Sequence, residues 1–163
     1  MSQAGQEAAT RPPVTAKEFK SDIKPVWCPG CGDFAVLNAI AKALAFLQSP
    51  REQVALITGI GCSSRIAAYT SLYGFHGVHG RALALAAGLK AARPDLTVLV
   101  AGGDGDGLSI GGNHFIHACR RNMDLTYIIM DNEVYGMTKG QASPTSAPDW
   151  LHGKLTPRGT GIR

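Results

Sequence analysis

The sequence is short of charge: Asp, Glu, Lys and Arg together make up 17% of its 163 residues. That leaves little polar surface to spare and points to part of the surface being covered by a partner. No long run of Lys or Arg is present, and the formal net charge of +4 comes partly from the N-terminal tail and the last ten residues. No nucleic-acid partner is therefore expected. No apolar stretch approaches the ~20 residues that a spanning helix needs, so no membrane partner is expected either. Residues 1–20 are polar, carry Pro12-Pro13 and lack the apolar segment of a secretion signal, which predicts a cytoplasmic protein. Cysteine is limited to four. In that compartment the expected use is a metal site or reactive thiols rather than disulfides.

Apolar residues are plentiful, at 45%, enough for one domain with a real core. Residues 1–24 read as a flexible tail and residues 25–163 as the domain. Trp27-Cys-Pro-Gly-Cys-Gly-Asp33 is a tight knuckle whose thiols, Cys28 and Cys31, can face one metal. Asp33 is placed to cap a helix from Phe34 to about Leu47, where Val36, Leu37, Ile40, Leu44 and Leu47 recur at helical spacing. Val54–Thr58 reads as a short buried strand. It runs into Gly59-Ile-Gly-Cys-Ser-Ser-Arg65, whose glycines allow a close backbone approach to a ligand. Next, Tyr73–Arg81 is too rich in Gly for a helix and carries His76, His79 and Arg81, each able to meet a phosphate. The small apolar stretch Ala82–Ala92 suits packing on a sheet. A strand over 96–101, a helix around 114–121 and a strand over 125–130 follow. The pattern predicts an α/β fold with a mainly parallel sheet flanked by helices.

Ligands in such folds bind beyond the carboxyl ends of the strands. The unusual stretches 59–65, 102–107 and 131–139 all fall at such ends. Gly103-Asp-Gly-Asp-Gly107 does not complete the GxGxxG of a dinucleotide site, and two carboxylates would repel a bare pyrophosphate. A divalent cation reverses that sign. Asp104 can bind Mg²⁺, with Asn132 and the carbonyl of Val134 as neutral oxygen ligands, and the cation then binds diphosphate. The plainer reading makes Asp104 and Asp106 turn residues. Cys119 reads as a buried packing residue.

These segments together resemble the thiamine diphosphate-binding β subunit of the 2-oxoacid:ferredoxin oxidoreductases. The residues that carry the likeness are WCPGCG at 27–32, GIGCSSR at 59–65, HGRALALAAGLK at 79–90, GDGDGLSIGGNH at 103–114 and DNEVYGMTKGQASPTS at 131–146. The resemblance implies the pyrophosphate-binding fold of thiamine enzymes and an oxidative decarboxylation. A 2-oxoacid loses CO₂, its acyl group passes to coenzyme A, and electrons leave through a [4Fe–4S] cluster to ferredoxin. It implies Mg²⁺ on Asp104, Asn132 and Val134. Thiamine diphosphate would be lined by Ile60, Gly61, Cys62, Ser63, His79, Gly105, Asp106, Gly136 and Met137. Cys28, Cys31 and Cys62 would be three of four cluster ligands. Lys139 resembles the lysine of members acting on 2-oxoglutarate, where a cation can pair with the distal carboxylate. Ser143-Pro144-Thr145 lies in a loop placed to fold over the site.

Family chains continue beyond Arg163, where the fourth cluster cysteine lies, so the domain is expected to be incomplete at its C-terminus. Residues 147–163 do not follow the family. None of Glu7, Glu18, Glu52 or Glu133 matches the glutamate that activates the thiamine ring, which the family places on an α subunit. That subunit is therefore an expected partner, without which the chain is expected to be inactive. Two other classes remain open: a zinc-binding structural module built on the cysteines, and a non-redox thiamine diphosphate decarboxylase.

Overall fold

A computed structural model describes residues 12–151. Four parallel strands form its sheet in the order β2-β1-β3-β4: β1 is Val54–Thr58, β2 Tyr73–His76, β3 Thr97–Gly103 and β4 Thr126–Met130. Helix α1, Asp33–Phe46, covers one face, and α2, Ala82–Ala92, and α3, Gly112–Arg120, cover the other. A small antiparallel hairpin, β5 Val134–Tyr135 and β6 Gln141–Ala142, follows β4.

The period of two along each strand divides the core. Val54 and Leu56 of β1 face α1, whereas Ala55 and Ile57 face α2. On β3, Val98 and Val100 face α2, and Leu99 and Ala101 face α1. Leu56, Val98 and Val100 are fully buried. Truncating any of them to Ala would remove packed methyl groups and cost about 2–5 kcal/mol for the larger ones.

Helix α1 buries Leu37, Ile40, Ala41 and Leu44, one stripe of a 3.6-residue period. It ends where Gln48 turns left-handed, at φ 50°, and Ser49 N–H donates back to Leu44 C=O at 3.1 Å. Asp33 does not cap it. Gly32 occupies that position and Asp33 is the first helical residue.

The expected tail is shorter than the sequence predicts. A 3-10 turn at Ala16–Phe19 puts Phe19 fully inside the α1-side core, with Trp27, Leu37 and Ile66. Ser21 N–H donates to Tyr69 C=O, and Ser71 N–H to Phe19 C=O. One buried ring and these backbone bonds hold a segment whose polar composition resembles a tail. Residues 1–11 and 152–163, with the expectations placed on them, lie outside the described residues. Three further elements were not legible as such: strand β2, a 3-10 helix at Ser63–Tyr69, and a π-helix at Gly105–Ile110.

The chain leaves β1 for β2 on one side and returns to β3 on the other. The strand order therefore reverses between β1 and β3, and the crevice outside their carboxyl ends is where an open parallel sheet binds ligands. Gly59–Ser63 and Gly103–Gly107 flank that crevice.

Candidate functional site

The π-helix directly after β3 sets the site. Its wide turn is closed by Gly111 N–H donating to Asp106 C=O at 3.1 Å, and such turns recur at functional positions. A Cβ on Gly111 would sit 2.5 Å from that same oxygen, so the turn requires glycine there. The turn leaves Asp104 at 1% exposure and Asp106 at 3%, pointing into different surroundings.

Asp106 is surrounded by donors. Its Oδ1 accepts from the Ile60 N–H at 2.9 Å, the Gly80 N–H at 2.8 Å and His79 Nδ1 at 2.5 Å. One carboxylate oxygen therefore binds the loop after β1 to the loop after β2. Gly59 makes room for it, because a Cβ there would stand 2.0 Å from Asp106 Oδ2. That Oδ2 is buried with no hydrogen-bond partner. Tyr127 of β4 lies near it, and burial together with the Asp106 charge pushes the phenol up to about 12. With Nδ1 of His79 engaged by Asp106, Nε2 is left for a ligand.

Asp104 is surrounded by acceptors. With the Asn132 amide oxygen turned inward, that atom lies 3.1 Å from Asp104 Oδ1 and 2.7 Å from the Val134 carbonyl oxygen. In that orientation alone, three oxygens would gather with no proton between them, as the ligands of one cation do. Reversed, the amide nitrogen would donate to both neighbours, which is the arrangement favoured without a cation. In an Mg²⁺ octahedron with Mg–O of 2.0–2.1 Å, neighbouring oxygens stand about 2.9 Å apart. The two separations bracket that value, so the donor set fits the cation. The other carboxylate oxygen, Oδ2, lies 2.7 Å from Thr145 Oγ1.

The remaining expected positions distribute around this pair. Gly105 packs against Tyr135, whose hydroxyl donates to the Gly105 carbonyl at 3.2 Å; a Cβ on Gly105 would meet the ring at 2.3 Å. Ser63 is buried and stands beside Gly103, while Ile60 and Met137 are exposed at 38% and 45%. Gly61 has φ +116°, a backbone that only glycine adopts freely. Gly136 opens the tip of the β5–β6 hairpin, and Lys139 sits on that tip, exposed, with φ 75°. Arg81 reaches His114 Nε2 at 2.9 Å, and His76 Nδ1 lies against Thr58 Oγ1 at 3.2 Å and the Ser64 carbonyl at 3.0 Å. Both therefore serve local contacts.

The thiols form a second neighbourhood. The Trp27 indole donates to the Cys62 carbonyl at 2.7 Å, tying the knuckle to the loop after β1. Burial pushes the Cys62 thiol up, and nearby Asp33, Cys28 and Cys31 push it further. Cys28, Cys31 and Cys62 are thus neighbours. Three cysteines grouped in this way are the ligand type of an iron–sulfur cluster. Cys119 is on α3, exposed rather than buried, because Phe115 and Ala118 take the inward positions of that helix. Among the described residues, no three His, Cys, Asp or Glu side chains converge as a single-ion site. The zinc module built on all four cysteines finds no support in that arrangement. Likewise, no helix among the described residues is long and apolar enough to cross a membrane.

Thr145, Asp131, Tyr127 and Tyr135 are site residues whose roles the sequence did not reveal. Only the closeness of Ser143–Thr145 to the 131–139 segment hinted at the first of them.

Comparison with known proteins bears on this geometry. The profile described as thiamine pyrophosphate enzyme, C-terminal TPP binding domain, matches residues 59–154. The chain is 53% identical over 151 residues to the 2-oxoglutarate oxidoreductase subunit KorB of Mycobacterium tuberculosis, covering 93% of this chain and 40% of that one. It is 48% identical to the 2-oxoglutarate synthase subunit KorB of Archaeoglobus fulgidus, covering 88% of this chain and 54% of the relative. Among solved structures, the 2-oxoglutarate:ferredoxin oxidoreductase from Magnetococcus marinus, with 2-oxoglutarate, coenzyme A and succinyl-CoA bound, is similar at a TM-score of 0.88. It shares 50% identity over 91% of this chain and 50% of that one. The chain spans about half the length of the relatives it matches.

Proposed function

The chain belongs to the thiamine pyrophosphate enzymes, through their C-terminal TPP binding domain, and on that premise we propose that it forms the β-subunit half-site of a 2-oxoglutarate:ferredoxin oxidoreductase. The observation that carries this reading is the convergence of Asp104 Oδ1, the Asn132 amide and the Val134 carbonyl, with the end of the amide 3.1 and 2.7 Å from the other two, separations that neighbouring Mg²⁺ ligands also have. These three would hold Mg²⁺, which would neutralise the charge of a bound diphosphate. Gly61 leaves open space for the backbone to approach the cofactor, and Ile60, Cys62, Ser63, His79, Gly105, Gly136 and Met137 would border it. Asp106 acts from below, by keeping the loops of Ile60 and His79 in register. Bound there, thiamine diphosphate supplies the carbanion that opens a 2-oxoacid at its keto carbon.

Cys28, Cys31 and Cys62 would be three of the ligands of a [4Fe–4S] cluster, which would supply one-electron acceptance on the way to ferredoxin. The Trp27–Cys62 bond keeps that group next to the cofactor loop. A second subunit, of α type, completes the site and brings the coenzyme A and substrate contacts that this chain does not itself provide. The cysteines favour this reading over a non-redox decarboxylase, which has no use for them.

Lys139 supports the dicarboxylic substrate. It holds φ 75° on an exposed hairpin tip, a conformation that glycine adopts without strain. Backbone strain of this kind clusters at functional positions, which supports a role for the ammonium. Lys139→Ala is expected to lower activity on 2-oxoglutarate about 10- to 100-fold, the loss of a charged hydrogen bond, and to spare pyruvate. Equal losses on both substrates would reject the role. The test of the whole reading is anaerobic co-expression with the partner subunit, iron analysis, and dye reduction with 2-oxoacids and coenzyme A. Iron-containing protein that reduces dye with 2-oxoglutarate is expected; no reduction with any 2-oxoacid overturns it.

A further inference from the structure

We infer that Thr145 is the positioning residue of the metal site: its hydroxyl anchors Asp104 Oδ2 so that Oδ1 faces Asn132 and Val134. The inference rests on the cofactor site proposed above. Thr145 Oγ1 stands 2.7 Å from Asp104 Oδ2 and 2.8 Å from Asp131 Oδ1. A hydroxyl carries one proton, so one donor faces two carboxylates. A carboxylate free to rotate would present either oxygen to a cation. Anchored through Oδ2, Asp104 presents one.

The turn that carries Thr145 is itself tied down on both sides of the site. Ser146 N–H donates to the Ser143 carbonyl at 3.2 Å, and Ser143 N–H donates to Ser146 Oγ at 2.8 Å. Ser143 and Ser146 are buried at 1% and 7% exposure. Ser146 Oγ also donates to the Glu133 carbonyl, which lies between Asn132 and Val134 in the chain. The same four-residue turn thus grips the end of β3 through Thr145 and the loop after β4 through Ser146. The metal ligands come from those two places. The strap adds to two other ties between those places, the β3–β4 pairing and the Tyr135 hydroxyl on the Gly105 carbonyl. Partners of this kind orient the groups that touch a metal, and removing one typically weakens metal binding about 10- to 100-fold.

Thr145→Val keeps the shape and deletes the donor, whereas Thr145→Ser keeps the donor and deletes the methyl group. The whole chain is titrated with Mn²⁺ in the presence of thiamine diphosphate, and free Mn²⁺ is read by electron paramagnetic resonance. Thr145→Val is expected to bind Mn²⁺ about 10- to 100-fold more weakly than wild type, and Thr145→Ser to bind like wild type. Thr145→Val binding like wild type, or the two variants losing affinity equally, overturns the inference. If Thr145→Val does not fold, Thr145→Ala takes its place in the same comparison. Failure of both to fold while Thr145→Ser folds also overturns it, since that is the behaviour of a residue needed for the fold alone. Failure of the wild-type chain to bind Mn²⁺ is a different result: it removes the proposed cofactor site itself.

Discussion

Two carboxylates follow β3, two residues apart and almost equally hidden from solvent, and their neighbourhoods are built in opposite ways. Around Asp106 every close neighbour is a donor: two backbone N–H groups and an imidazole converge on one oxygen. Around Asp104 stand a single hydroxyl and an amide that can turn either its nitrogen or its oxygen inward. The first carboxylate is satisfied through Oδ1, its Oδ2 staying unpaired, and serves as scaffold. The second keeps one oxygen beside an amide that can turn its own oxygen inward, so a cation can take the place of that donor. Burial alone does not separate the two roles; the sign of what surrounds each oxygen does.

The sharpest way to break that comparison is to remove each group. Asp106→Ala leaves three donors without their acceptor. At about 1–3 kcal/mol for each buried group left unpaired, it should lower stability by about 3–5 kcal/mol in urea unfolding without metal. Asp104→Asn should leave metal-free stability within about 1 kcal/mol of wild type, while Mg²⁺-dependent stabilisation by thiamine diphosphate disappears. Equal destabilisation by both would erase the distinction.

A smaller effect comes from Tyr127, beside the orphaned Asp106 oxygen. Its pKa in the folded protein is pushed up to about 12, above the ordinary tyrosine value of about 10. The folded protein therefore keeps the phenol proton longer than the unfolded chain does. That contribution is intact below about pH 10 and is lost as the pH climbs to about 12. It amounts to about 2 kcal/mol for a group shifted this far. Tyr127→Phe should flatten the fall in stability across that window, and an unchanged slope would place the titrating group elsewhere. The smallest effect belongs to the rim. Lys139→Gly should relieve the left-handed backbone and raise stability by about 1 kcal/mol, while abolishing any preference for a dicarboxylic substrate.

The sheet and most strand ends were legible because short apolar runs stop at Gly and Asp, the residues that free the backbone beyond a strand. Asp104 and Asn132 were legible as a pair for the same reason, each ending a run that a crossover connection makes parallel. Phe19 was not, because one aromatic in a polar segment carries no periodicity. Strand β2 escaped through its two glycine-flanked exposed residues, Tyr73 and Phe75, which look like a loop. The roles of Asp106 and Thr145 depend on contacts across 46 and 41 residues. No local pattern encodes which oxygen meets a backbone amide and which meets a hydroxyl.

The parallel order of the sheet has a consequence for how the protein reaches this state. Every ladder joins distant segments: Val54 pairs with Thr97, and Leu99 with Thr126. Such contacts close long loops before any pairing rewards them, and they form slowly. The Asp106 clamp spans β1, β2 and β3, so it closes only after all three strands have met. Its closure is a late event on the folding route, and the amides of Ile60 and Gly80 should be among the last to gain protection from hydrogen exchange during refolding.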